Sequence, residues 1–259
     1  QGVHLVIFAM PLTAHQKLEE MLNRIRDEMV DIKIVPDLYR FISLRGGIEE
    51  FEGLPFINLR ESPMVGWNRV LKRIYDISLA SLFLVILSPL LVLIALAVKI
   101  TSPGPVFYRQ TRMGLDGRVF EMLKFRSMVE GAEKETGPVW ARKEDPRRTY
   151  VGRVLRKLSL DELPQLFNVL RGEMSLVGPR PERPELIESF KDRIPRYMLR
   201  HKMKAGMTGW AQIHGWRGNT SLEKRIEFDL HYIENWSLLL DTRIVIKTLW
   251  KGIISKEAY

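Results

Sequence analysis

From Ile77 to Val98 the chain reads ISLASLFLVILSPLLVLIALAV, 22 residues without a charge. A straight helix of that length covers about 33 Å, enough for a hydrocarbon core of about 30 Å. No amphipathic stripe interrupts the run, so a buried helix of a soluble protein is the poorer reading. The flanks bear on whether it crosses. Arg60, Arg69, Lys72 and Arg73 precede it, and Lys99, Arg109, Arg112 and Arg118 follow it. Lys and Arg concentrate on the cytoplasmic side of membrane segments, so both ends are expected on one face. Ser88-Pro89 stands at the midpoint, where proline removes a helix hydrogen bond and favours a bend. The reading is a re-entrant helix-break-helix over 67–100, with the break at Ser88 and Pro89.

The charge around this run is uneven. The chain carries a net +9, but residues 1–70 balance to −2 and residues 71–259 to +11. Between 101 and 160 alone there are 13 Lys/Arg against 7 Asp/Glu. Such a basic region suits nucleic acid, anionic lipid or phosphorylated substrates. The adjoining uncharged run and the lack of a recognition motif speak against nucleic acid. There is no cysteine, which removes disulfides and thiolate metal sites and fits a reducing compartment.

Ahead of the run, HLVIFAM (4–10) and DIKIVPDL (31–38) read as strands. Between them, LTAHQKLEEMLNRIRDEM (12–29) places Leu18, Met21, Leu22 and Ile25 at helical spacing. Strand–helix–strand implies a parallel α/β unit. No GxGxxG or Walker sequence accompanies it, so no nucleotide is assigned there. After the run, TSPGPVFYRQ (101–110) reads as a Pro/Gly-punctuated exit. Near the end, DTRIVIKTLWKGIISK (241–256) mixes Ile244, Ile246, Leu249, Trp250 and Ile253 with Lys247, Lys251 and Lys256. That pattern fits an interfacial membrane helix and an amphipathic core helix equally.

The chemistry is concentrated in SLDELPQLFNVLRGEMSLVGPRP (159–181). Ser159 and Glu162 match a capping box, but that register puts Pro164 where its missing N–H costs a helix bond. With Asp161 as N-cap, Pro164 falls in the first turn, and the positive helix end favours an ionised Asp161. An ionised carboxylate among cations can bind a divalent ion with Glu162 or attack phosphorus as a nucleophile. Arg180, between two prolines, offers a fixed fork for phosphate oxygens. On spacing alone, a carboxylate–metal–phosphate site and a plain structural cap remain open alternatives.

A set of longer matches goes further. WNRVLKRIYD, TSPGPVFYRQTRMG, KFRSM, DPRRTYVGRVLRKLSLDELPQLFNVLRGEMSLVGPRPERPE, GMTGWAQIHGWRG and FDLHYIENWSLLLD make the chain from about residue 67 onward resemble the bacterial sugar transferase family. These are monotopic phosphoglycosyl transferases, which move a sugar-1-phosphate onto a polyprenyl phosphate. The resemblance implies an α+β, mostly helical catalytic domain over 101–259, carrying the re-entrant helix at 67–100. It also implies that residues 1–66 are the C-terminal remnant of a Rossmann-like α/β domain, as in a truncated long-form member.

By the same resemblance, Asp161 matches the nucleophile and Glu162 its acidic neighbour, the two associated with Mg²⁺. Arg180 matches a phosphate-binding arginine, and Lys124 and Arg156 are further basic motif positions for substrate phosphate, while Arg217 in GWRG reads as a sugar or diphosphate contact. The implied substrates are a UDP-hexose, glucose or galactose, and undecaprenyl phosphate in membrane lipid. The implied place is the bacterial inner (cytoplasmic) membrane with the catalytic domain on its cytoplasmic face. The implied pathway is the start of exopolysaccharide, O-antigen or capsule synthesis. A homodimer fits this group, although no sequence pattern speaks for it. The rival readings are a UDP-releasing glycosyltransferase and a non-catalytic lipid-bound scaffold whose Asp-Glu pair only caps a helix.

Other residues are weaker candidates. His201 and His214 lack metal-ligand spacing, and Trp210 and Trp216 read as interfacial anchors before they read as base-stacking rings. Asp145 reads as a turn-forming Asp-Pro. Asp229 and Glu234 fit a solvated helix face as well as a site.

Overall fold

A computed structural model describes residues 5–10, 14–24, 31–36, 48–51, 54–57, 64, 66–132, 146–191, 193–218 and 220–254. Contacts divide the chain into two units, residues 1–61 and residues 62–259. In the first, β1 (Leu5–Met10), α1 (His15–Arg24) and β2 (Asp31–Pro36) follow one another. β1 and β2 pair in parallel from Leu5↔Asp31 to Met10↔Pro36, the pairing that a strand–helix–strand sequence calls for. The expected extensions of these elements to residues 4, 12, 13, 25–29, 37 and 38 lie outside the described residues. A short antiparallel pair, β3 (Ile48–Phe51) and β4 (Leu54–Ile57), completes this unit.

The second unit begins with α2 (Gly66–Thr101), 36 residues long. Among the described residues it is the one helix long and apolar enough to cross a membrane. The expected break is not an interruption of helical structure: helical backbone runs through Ser88-Pro89. Pro89 has no N–H for the carbonyl four residues back, that of Val85. The Ser88 hydroxyl donates to this carbonyl instead, at 2.9 Å, which keeps the freed acceptor satisfied in an apolar setting. Val85, Ile86, Val92 and Leu93, on either side of the proline, are exposed.

Both ends of α2 dock on the rest of the unit. At the N-terminal end, Lys72 is buried between two carboxylates, Asp76 at 3.0 Å and Asp241 at 2.7 Å. Asp76 also accepts from the Ser175 hydroxyl and the Leu176 N–H, both at 3.1 Å. Asp241 accepts from Tyr232 at 2.6 Å and from Trp236 at 3.2 Å. At the other end, Ile94 and Val98 form one core with Phe125 and Leu155, against which Leu160 and Leu163 pack. The two leucines flank Asp161-Glu162, so the acidic turn is held directly against the apolar helix.

The remaining elements build around these anchors. β5 (Phe107–Met113) and β6 (Val119–Phe125) form an antiparallel hairpin where the sequence reading had only an irregular exit. Next come α3 (Tyr150–Lys157), α4 (Gln165–Arg171), β7 (Ser175–Val177) and α5 (Pro184–Phe190). They are followed by β8 (Gly206–Thr208), α6 (Trp210–Ile213), α7 (Leu222–Glu234) and α8 (Leu238–Ile254). β7 and β8 pair in parallel. α8 packs one face on the body and leaves apolar residues exposed on another. Asp241 and Ile244 are fully buried, while Leu239, Ile246, Leu249 and Trp250 are exposed. Mixed helices and small two-stranded sheets match the α+β expectation.

The Lys72 network gives a stability prediction. Lys72→Met leaves Asp76 and Asp241 buried without their cation and should cost about 3–5 kcal/mol. Arg109→Gln, which removes an ion pair exposed on both sides, should cost about 1 kcal/mol or less. Denaturant unfolding of the two variants in the same detergent checks the contrast.

Candidate active site

Asp161 and Glu162 belong to a 3-10 turn, Leu160–Glu162, between α3 and α4. Neither capping register read from the sequence forms. Ser159 takes a left-handed conformation (φ 55°) and makes no side-chain cap bond. Pro164 occupies the N-cap position of α4 itself. The turn exists because Leu160 and Leu163 are claimed by the α2 core, and this sends the intervening carboxylates to the other side.

Glu162 is the hub. Its Oε1 accepts from Lys124 on β6 at 2.9 Å and from Arg180 at 2.8 Å, and a longer Arg180 contact to Oε2 measures 3.4 Å. Burial alone would raise its carboxyl, but Arg180 and Lys124 outweigh burial and hold it well below the usual carboxylate range. Asp161, 6% exposed, moves the other way. Burial and the neighbouring Glu162 push it up, opposed by Lys124 and Arg156. Adjacent carboxylates thus have opposite tendencies, as groups with different tasks in one site often do.

Two glycine contacts shape the basic wall. A Cβ at Gly152 would collide with the Ser127 carbonyl; its absence lets α3 sit against residue 127. There Arg156 Nε donates to the Ser127 hydroxyl at 2.9 Å. A Cβ at Gly178 would collide with the Lys204 carbonyl. Without it, Gly178 N–H reaches the Thr208 carbonyl and Gly206 N–H reaches the Pro179 carbonyl, both at 2.9 Å. This close crossing aims the Pro179-Arg180-Pro181 segment at Glu162.

The structure therefore brings Lys124, Arg156 and Arg180 together around the acidic pair. Arg217 lies within electrostatic reach of Arg180 and Glu162, lowered by burial and by Arg180. Ser88 and Pro89 sit apart, within α2.

Several residues escaped the sequence reading. Arg112 on β5 is lowered to about 10 by burial and by repulsion from Arg180. Its Nη2 donates to Gln110 at 2.7 Å, and its buried Nε has no partner among the described residues. Behind Arg180 stands a buried ion network. Arg200 donates to the Arg180 carbonyl at 2.9 Å and to Asp229 at 2.7 Å. Arg225 joins Glu182 at 2.6 Å and the Gly218 carbonyl at 2.6 Å. Asp229 is 2% exposed, so it is not on the solvated face that the helix pattern allowed. The network connects the Arg180 segment to the loop carrying Arg217. Position Asp145 lies outside the described residues.

Asp161 and Glu162 offer the hard oxygens that Mg²⁺ takes. No set of three or more His, Asp or Glu side chains converges among the described residues. That donor set fits an ion held by one or two carboxylates, with water and substrate phosphate filling the rest of its shell. Both histidines fall to structural roles: His201 is buried and lowered to about 4 by burial and Arg200, and His214 packs on Trp210 with ring centroids 4.2 Å apart.

Comparison with known proteins is consistent with this arrangement. A family model described as bacterial sugar transferase matches residues 67–255. A UDP-glucose:undecaprenyl-phosphate glucose-1-phosphate transferase of Escherichia coli (strain K12) is 47% identical over 99% of the chain and 56% of its own length. A Xanthomonas campestris pv. campestris protein of the same name is 44% identical over 99% of the chain and 54% of its own. A UDP-N-acetylgalactosamine-undecaprenyl-phosphate N-acetylgalactosaminephosphotransferase of Aeromonas hydrophila is 46% identical over 69% of the chain and 43% of its own. The chain spans about half the length of these curated relatives.

The electrostatics can be read directly. Lys124 favours the ionised form of Asp161, so Lys124→Met should raise the Asp161 carboxyl further, and its protonation should set in at higher pH. A ¹³C-aspartate NMR titration, with Asp161→Asn to assign the signal, should show that displacement; an unchanged or lowered midpoint would contradict the geometry.

Proposed function

The chain belongs to the bacterial sugar transferase family, and from that premise we propose that it transfers a hexose-1-phosphate from a UDP-hexose to a polyprenyl phosphate. One observation carries the reading: a charge surplus beside a membrane helix. Five cations, Lys124, Arg156, Arg180, Arg112 and Arg217, bear on Asp161 and Glu162, with Glu182 a third carboxylate acting on Arg112 and Arg180. Burying like charges is costly unless a counter-charge joins them. The diphosphate of a nucleotide-sugar and the phosphate of a lipid supply that charge. Glucose is the first sugar to test, because the E. coli and Xanthomonas relatives are named for it.

In the proposed sequence, an Asp161 oxygen attacks the phosphorus that bears the sugar. The bond from that phosphorus to the bridging oxygen breaks, and UMP leaves. The sugar phosphate then remains on the carboxylate. An oxygen of the polyprenyl phosphate next attacks the same phosphorus, Asp161 departs as a carboxylate, and a diphosphate-linked lipid forms. Attack requires ionised Asp161, which Lys124 and Arg156 favour against burial. Arg180 trades part of its bond to Glu162 for phosphoryl oxygens, where charge develops. When bound at Asp161 and Glu162, Mg²⁺ supplies Lewis-acid stabilisation of those oxygens.

The membrane placement is part of the proposal. Both ends of α2 pack on one unit, with proline between them. This supports a helix that enters and leaves one leaflet, with the site on the cytoplasmic face of a bacterial inner membrane. The acidic turn then stands at the interface, where a soluble donor and a lipid phosphate can both reach it. Exposed Ile246, Leu249 and Trp250 on α8 suit the same interface. We place the product at the start of an exopolysaccharide or related surface polysaccharide.

Incubation with UDP-glucose and Mg²⁺ but no acceptor should release UMP and add the mass of a hexose phosphate to the protein. Asp161→Asn should lose the adduct and at least about a thousandfold in turnover. Release of UDP would indicate sugar transfer without phosphate, and no release with acceptor present would favour a scaffold.

For topology, cysteines placed at exposed Val70 and Ile100 should both react with an impermeant thiol reagent from the cytoplasmic side. Labelling from opposite sides would refute the re-entrant path.

A further inference from the structure

A second group of cations lies at the far end of α4 from the acidic pair. Arg73 donates to the Val169 and Leu170 carbonyls at 2.6 and 2.7 Å, a side-chain cap on the negative end of that helix. α4 closes on Gly172 in the left-handed region (φ 86°). A Cβ placed there would stand 3.4 Å from Arg73 Nη2 and 3.5 Å from Lys204 Nζ. Guanidinium and ammonium therefore converge over one bare stretch of backbone. Arg69 stands one helical turn before Arg73 and acts on the same lysine.

Helix capping accounts for Arg73 but not for the others. Lys204 is half-buried beside like charges, and burial, then Arg73, push it below the ordinary lysine range. Asp76 opposes this shift. It is already committed to Lys72, the Ser175 hydroxyl and the Leu176 N–H. Among the described residues, no hydrogen-bond or ion-pair partner falls to Lys204 or Arg69. A half-buried ammonium facing a guanidinium across a bare glycine is an arrangement that an anion would complete.

The position of the cluster says what kind of anion. Arg73 precedes the uncharged run by four residues, about 6 Å along the helix, which is headgroup depth if α2 enters the bilayer. Trp67, Val70 and Ile74 around it are exposed. Tyr75 contacts Thr242 of α8 at 3.2 Å, the helix that exposes Ile246, Leu249 and Trp250. We infer that Arg69, Arg73 and Lys204 form a second, non-catalytic site that binds the phosphate group of an anionic membrane phospholipid. This rests on the membrane placement proposed above, but not on the chemistry at Asp161. Bound phospholipid would offset part of the cluster's charge and fix the depth of the body on the bilayer.

The test uses the full chain in detergent micelles, titrated with phosphatidylglycerol, phosphatidylcholine or inorganic phosphate while thermal unfolding is followed. Phosphatidylglycerol should raise Tm, and the other two should not at matched concentration. Arg69→Gln and Lys204→Gln should each weaken the apparent phosphatidylglycerol affinity about fivefold, with UMP release kept within about twofold. Arg73 is left alone because it also caps α4. If Lys204→Gln does not fold, exposed Arg69→Glu replaces it and should abolish the response.

An undiminished phosphatidylglycerol response in the variants would overturn the site. So would an equal response to inorganic phosphate, which would make it a small-anion site. A raised KM for polyprenyl phosphate with the phosphatidylglycerol response intact would assign the cluster to the acceptor instead. Loss of UMP release by the unaltered chain, with its lipid response preserved, would defeat the catalytic reading and leave this one standing.

Discussion

Glu162 is bonded from two directions by groups that lie 56 positions apart in the chain. Lys124 reaches it from the β5–β6 hairpin and Arg180 from the segment after β7, while Leu160 and Leu163 tie the same turn to α2. A carboxylate buried among cations also resists protonation, so this junction persists across the pH range in which Asp161 changes state. The resulting division of labour is physical: Glu162 fixes the wall, and Asp161, left the more basic of the pair, is available for reaction.

The second layer explains how such a wall stands at all. Arg200 and Arg225 are nearly inaccessible, and a buried guanidinium is tolerated only with close partners. Asp229 and Glu182 supply them, and the Arg180 and Gly218 carbonyls each accept one further guanidinium N–H. Backbone segments that carry Arg180 and Arg217 are thereby held by arginines that face inward. The front row keeps a surplus of positive charge that the back row does not neutralise.

Much of this was legible in the sequence where the signal was local. The uncharged run pointed to α2, and short apolar strands around an amphipathic stretch pointed to β1, α1 and β2. The Asp161–Glu162 pair and the proline-bracketed Arg180 left a structural cap open on spacing alone, and the longer motif matches around them singled them out. Long-range pairing left no such mark. Arg200–Asp229 and Lys72–Asp241 join residues with no periodic relation, so Asp229 fitted a solvated face as well as a site and Lys72 looked like a membrane flank. The capping registers failed for a different reason. Local rules placed Asp161 or Ser159 at a helix start, but burial of Leu160 and Leu163 against α2 decided the backbone. Arg112 looked like one more flank charge until the hairpin turned it toward Arg180.

The central claim is that an Asp161 oxygen becomes bonded to phosphorus midway through the cycle. The most direct measurement is the configuration at that phosphorus, followed with a UDP-hexose made chiral by sulfur and oxygen-isotope labelling and carried through to the lipid diphosphate. Two successive in-line displacements predict net retention. Net inversion would mean that donor hands its phosphoryl group straight to acceptor, and the account given for Asp161 would be contradicted.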